Sequence, residues 1–100
     1  MKLYNMQSPR TSKPIANQFI IIEHGNSANG NFIKRETFQS YSSVITIKTT
    51  WSDRVDVVLD SYYWDYSTTT SKYRNIFLGE TKKETEKKIK DGIYKLVNLN

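Results

Sequence analysis

The chain has no cysteine, one histidine and two prolines in 100 residues. Without cysteine there is no disulfide and no thiolate metal site, so packing alone must hold the fold, as suits a reducing compartment. The lone histidine, His24, sits beside a Gly/Asn-rich loop. No G-x-S-x-G is present, so a nucleophile–base–acid set has no evident base. The hydroxyls from Ser67 to Ser71 are explained more simply by helix capping than by nucleophilic chemistry. Gly25 and Gly30 are not followed by the Lys-Ser/Thr helix start that a phosphate loop needs. Asp56 and Asp60 share a face of one strand but lie roughly 13 Å apart along it, too far for one ion. No enzyme activity, metal or cofactor is therefore expected. The longest apolar run, Phe19-Ile20-Ile21-Ile22, is far short of a membrane span, and the first ten residues have no secretory apolar stretch. The expected location is cytoplasmic, with no membrane partner.

What is present is positive charge at both ends. Residues 1–35 carry five Lys/Arg against Glu23, net +4; residues 36–66 carry two against five acids, net −3; residues 67–100 carry eight against four, net +4, which sums to the formal +5. Basic ends permit contact with an anionic partner, nucleic acid included; the competing reading is a surface charged for solubility. One hundred residues make one domain with a modest core, and thirteen percent aromatic residues make disorder as a whole unexpected.

Periodicity predicts an α+β domain: a mainly antiparallel sheet of about four to five strands, with two short helices (about 68–78 and 82–91) before a C-terminal strand. Residues 1–17 read as an irregular N-terminal arm, because Pro9, Ser12, Lys13 and Pro14 break periodicity, and 18–100 read as the domain itself. Gln18 to Glu23 is a β-branched strand, followed by a Gly/Asn loop from His24 to Asn31. Phe32 to Thr37 resumes a strand that extends towards Tyr41. Val44 to Thr50 and Val55 to Asp60 form a hairpin about Trp51-Ser52-Asp53-Arg54. Trp51 either caps the core or stays outside as a contact residue. A Ser or Thr between Ser67 and Thr69 caps the first helix, which gathers Thr69, Thr70, Tyr73, Ile76 and Phe77 on one face with Lys72 and Arg74 on its flanks, and Gly79 ends it. Thr81-Lys82-Lys83-Glu84 is a capping box opening the second helix, anchored by Ile89 with Thr85 and supported by Glu84–Lys88 and Glu86–Lys90 pairs. Ile93 to Leu99 alternates again and returns to the sheet.

Between strand and helix runs Ser61-Tyr62-Tyr63-Trp64-Asp65-Tyr66-Ser67-Thr68-Thr69-Thr70-Ser71-Lys72-Tyr73, the least ordinary stretch of the chain. In an extended backbone Tyr62, Trp64 and Tyr66 point one way and Tyr63 and Asp65 the other. Five such rings exceed what so small a core can absorb, so Tyr62, Tyr63, Trp64 and Tyr66, with Lys72 and Arg74, are the candidate partner-binding residues. The competing reading is a structural corner in which Asp65 accepts backbone N–H groups. On the second helix Lys83, Lys87 and Lys90 form a stripe for an anionic partner, or simply a solvated face.

Tyr63-Trp64-Asp65-Tyr66-Ser67-x-Thr69-Thr70-Ser71-Lys72-Tyr73, followed by Phe77-Leu78 and preceded by Phe38-Gln39-Ser40-Tyr41, resembles a motif of small phage-encoded proteins of unassigned function. The similarity spans about Thr37 to Lys90. It implies a non-catalytic phage accessory protein, acting in the host bacterial cytoplasm, that binds and inhibits a host defence factor. A CRISPR effector nuclease is the expected partner, which would make the chain an anti-CRISPR protein; its basic charge argues against mimicry of DNA over the whole surface. The alternative is a small DNA- or RNA-binding module. A homodimer formed through an edge strand is also open.

Overall fold

The computed structural model describes residues 1–25 and 32–100, so the expected loop from His24 to Asn31 lies mostly outside the described residues. The chain forms β1 (Lys2–Gln7), β2 (Pro14–His24), β3 (Lys34–Ser40), β4 (Ser43–Thr50), β5 (Val55–Asp60), α1 (Thr68–Leu78), α2 (Lys82–Lys90) and β6 (Lys95–Val97). The fold is α+β, with six strands in one sheet whose spatial order follows the chain, β1 to β6. The first five strands pair antiparallel through short connections. β6 pairs parallel to β5, an arrangement that needs a crossover connection, here supplied by the two helices. The sheet is therefore mixed, with one strand more than the sequence pattern indicates.

The additional strand comes from the N-terminal segment expected to be irregular. β1 pairs along β2, from Lys2 opposite Ile22 to Gln7 opposite Pro14. Neither proline obstructs it. Pro9 lies in the connecting turn and Pro14 is the first residue of β2, where a missing N–H costs little.

Both helices cover the same face of the sheet. Met6, Ile20, Phe38 and Ile45 form one buried cluster, packed against by Tyr73, Ile76 and Phe77 of α1. The Phe38 and Phe77 rings stack at 5.8 Å. Val57, Leu59 and Tyr94 form a second cluster, closed by Trp64, Leu78 and Ile89. A register shift between β3 and β4 places Thr46 opposite Phe38 and Val44 opposite Gln39. The intervening Ile45 turns inward beside Thr46, so two consecutive residues of β4 are buried on this side.

Helix boundaries follow local chemistry. The Ser67 hydroxyl accepts the Thr70 N–H at 3.1 Å, and Gly79 closes α1 at φ 68°, a left-handed position that glycine adopts without steric cost. Thr81 and Glu84 exchange the two bonds of a capping box at the start of α2. The expected Glu84–Lys88 and Glu86–Lys90 pairs do not form. The Glu84 carboxylate is held by the cap, and Lys88 turns to Glu80 at 2.6 Å.

Candidate functional site

The stretch from Asp60 to Ser71 makes a corner, and Asp60 builds it. Asp60 ends β5 and is 2% exposed. Its Oδ2 accepts the N–H groups of Tyr62 at 3.0 Å and Tyr63 at 2.8 Å, and its Oδ1 accepts that of Leu99 at 2.8 Å. The Asp60 carbonyl accepts the Trp64 N–H at 3.0 Å. An aspartate that captures the following amides curls the chain at once, so residues 61–66 form a run of turns rather than an extended segment. Burial pushes the Asp60 carboxyl up. The bonds from Leu99, Tyr63, the Asn100 side chain and Tyr62 outweigh it and hold the group below the ordinary carboxylate value.

Curling overturns the expected alternation. Tyr62, Tyr63 and Tyr66 come together, while Trp64 leaves for the other side. Tyr62 meets Tyr63 edge to face at 4.7 Å, and Tyr66 lies 5.4 Å from Tyr63 and 5.9 Å from Tyr62. Tyr63 packs on the first buried cluster. Tyr62 and Tyr66 remain 69% and 62% exposed. Trp64 closes the second buried cluster instead.

Arg74 is also misplaced by a reading that puts it on an exposed flank of α1. It is fully buried. Its guanidinium lies 5.1 Å from the Trp64 ring centre, Nη1 donates to the Trp64 carbonyl, and Nη2 donates to Asn75 Oδ1 at 2.9 Å. The corner folds back over that flank of the helix, which wheel geometry alone does not reveal. Burial pulls Arg74 below its ordinary value, and Asp65, 3.6 Å away, draws it back. Among the described residues Asp65 accepts no backbone bond of the kind expected. It accepts the Ser71 hydroxyl and pairs with Lys82 Nζ at 2.8 Å. Burial raises its carboxyl, and Lys82, Ser71 and Arg74 together lower it below the ordinary value.

A pocket of about 450 Å³ opens between this corner and the turn from β3 to β4. The rings of Tyr41, Tyr63 and Tyr66 and the hydroxyl residues Ser40, Ser43, Ser67, Thr69 and Thr70 surround Ile45. No acid, histidine or cation lines it among the described residues. A group seated there is held by ring contacts and hydroxyl hydrogen bonds. Tyr41 holds φ at 56° in that turn and its N–H donates to the Asn17 carbonyl at 2.7 Å.

Of the candidate residues, Tyr62, Tyr63 and Tyr66 form one group. Trp64 and Arg74 are joined beneath it as structural members. Lys72 is exposed, its Nζ 5.4 Å from the Tyr73 ring. Lys83, Lys87 and Lys90 are all exposed on α2. Asp60 and Tyr41 escaped sequence reasoning. For Asp60 the available signal was an aspartate closing a strand directly before a serine and two tyrosines, the pattern of a side-chain-capped turn.

Among known proteins, the model of a family of unknown function, DUF8033, matches residues 1–92. No curated protein and no solved structure matches the chain.

Proposed function

The chain belongs to DUF8033, a family of unknown function, and we propose that it is a non-catalytic docking protein that grips a partner protein with its tyrosine corner. The observation that carries this reading is the pair Tyr62 and Tyr66, largely exposed yet locked ring to ring against the half-buried Tyr63. Tyrosine offers a large amphipathic contact area and loses few rotamers on binding, and rings already held in place lose fewer still. The adjoining pocket gives a partner side chain a place to enter beside them. The resemblance to small phage proteins supports a host defence factor as the partner, with a CRISPR effector nuclease the first to test and inhibition by occlusion the mode.

The test is capture from host lysate, and with a purified effector, at physiological salt. The wild-type chain is expected to retain a host protein, and a Tyr62→Ala/Tyr66→Ala variant to lose it. Retention of nothing, or equal retention by the variant, overturns the reading.

A second reading, contact with DNA or RNA, is favoured by one observation. Lys82 is tied to Asp65 and Lys88 to Glu80, whereas Lys83, Lys87 and Lys90 have no ion-pair partner among the described residues. It requires a gel shift that weakens steeply with salt and is abolished by changing those three lysines to glutamate. No shift at low salt removes it.

A further inference from the structure

Both helices lie on one face of the sheet, and among the described residues no helix covers the other. Pairing aligns Leu3, Ile21, Thr37, Ile47 and Val58 in one row across β1 to β5, each directly opposite the next. None of these side chains takes part in either buried cluster. All face away from the helices, because each stands next along its strand to a residue that packs inward, such as Ile20, Phe38, Thr46 and Leu59. The neighbouring row runs Glu23, Arg35, Thr49 and Asp56. At its end Phe32 meets Trp51 edge to face at 6.5 Å, with Arg35 4.2 Å from the Phe32 ring centre and Arg54 4.8 Å from that of Trp51. An apolar row beside an aromatic and arginine cluster has the composition of a protein interface core.

Charge identifies what covers it. The chain carries +5, yet this face and its rim present to solvent three acids, Glu23, Asp53 and Asp56, against three cations, Arg35, Arg54 and Lys95, with Asp60 of the same face buried. The excess positive charge therefore lies elsewhere, and an acidic partner or nucleic acid is drawn elsewhere with it. The neutral face is also self-complementary. Arg35 on β3 and Asp56 on β5 flank Thr49 of β4 in the same row, as Thr37 and Val58 flank Ile47 in the next. We propose that a second copy of this chain docks here, sheet against sheet, about a two-fold axis running along β4. That axis lays Ile47 on Ile47, Thr37 on Val58, Ile21 on Lys95, and Arg35 on Asp56 twice, while Arg35 keeps Glu23 and Asp56 keeps Arg54 within their own chain.

On this axis β2 to β6 overlap and β1 overhangs; five strands about 4.8 Å apart and two same-face rows about 6.6 Å apart make a flat patch of ~300 Å² per copy, against ~800 Å² per partner in a standard interface. The dimer is thus a reversible one, populated at high concentration. The proposal does not depend on the tyrosine corner, which lies on the helix side and stays free in the dimer.

Sedimentation equilibrium of the full chain, from micromolar to near-millimolar concentration, tests it. The expected result is a mass that rises from one chain to two. Ile47→Lys is expected to hold it at one chain with an unchanged circular dichroism spectrum. Arg35→Asp and Asp56→Arg alone are each expected to weaken the dimer about tenfold, and together to recover most of the loss. This charge exchange, at half-buried Arg35 and exposed Asp56, decides the matter even where Ile47→Lys fails to fold. A single-chain mass at the highest concentration overturns the proposal. So does a dimer indifferent to the charge exchange, or one abolished by Leu3→Pro but not by Ile47→Lys, which is the behaviour of edge pairing through β1.

Discussion

Asp60 and Asp65 stand five residues apart at the two ends of one corner and hold it in different ways. Asp60 is satisfied chiefly by backbone: three amides converge on its two oxygens, and it has no ion-pair partner among the described residues. Asp65 is satisfied by side chains alone, Ser71 and Arg74 from α1 and Lys82 from α2. The first sets the path of the chain and hence which rings face outward. The second joins elements whose paths are already set. Losing the first carboxylate strands its amide donors, whereas losing the second frees exposed Lys82 to return to water and leaves buried Arg74 the Trp64 carbonyl and Asn75.

The sharpest break of this comparison is Asp60→Ala. It strands the partly buried amides of Tyr62, Tyr63 and Leu99, and a loss of about 2–4 kcal/mol is expected by urea unfolding. The same variant should release the Tyr62–Tyr63–Tyr66 contact, visible as averaging of the tyrosine ring signals. Acid reaches the same group. Both carboxyls sit below their ordinary value when folded and return to about 4 when unfolded. The unfolded chain therefore binds more protons between those values, so the stabilisation is complete above about pH 5 and falls away as pH drops through the folded values. Asp60→Asn is expected to flatten that acid limb. An acid limb unchanged by the substitution would assign the dependence to other groups.

Arg74 carries the next largest effect. Arg74→Ala removes the donor to the Trp64 carbonyl and the filling under the indole, for an expected loss of about 2–3 kcal/mol. Arg74→Met keeps most of the volume and removes a buried charge whose Nε has no partner, and it is expected to cost only about 1 kcal/mol. Equal losses for the two variants would mean that the charge, rather than the filling, holds the corner together.

Local chemistry was the legible part of this fold. β5 runs from Val55 to Asp60 as its alternation indicates, and α1 keeps the Ser67 cap, the Gly79 stop and the expected span because each depends on neighbours within four residues. What failed depends on distant partners. β1 has weak alternation, with Leu3 and Tyr4 both exposed, and exists because β2 supplies its hydrogen bonds. Arg74 is buried because a corner ten residues earlier folds over it. The rings of Tyr62 to Tyr66 were assigned sides by strand periodicity, and a single aspartate just before them removed the strand. Alternation in β4 and β5 foretold two unlike faces. That, among the described residues, no helix covers one face follows only from where α1 and α2 settle.

The smallest effect sharpens the contrast most. Lys82 is exposed, and the Asp65 carboxylate bonds its ammonium and holds it above its ordinary value. In Lys82→Ala the Asp65 carboxylate keeps the Ser71 hydroxyl and Arg74, and nothing buried is left without a partner. The unfolding midpoint is therefore expected to stay put, because an exposed pair gains little over two solvated charges. The Asp65 carboxyl should nevertheless move up towards its ordinary value, since Lys82 contributes the largest of the effects that lower it. Carboxyl titration followed by NMR reads that shift separately from stability. A carboxyl that moves while the midpoint does not shows that the Lys82 bond to Asp65 tolerates replacement, in contrast to the amides held by Asp60. A midpoint that falls as far as it does in Asp60→Ala would erase the distinction between the two acids.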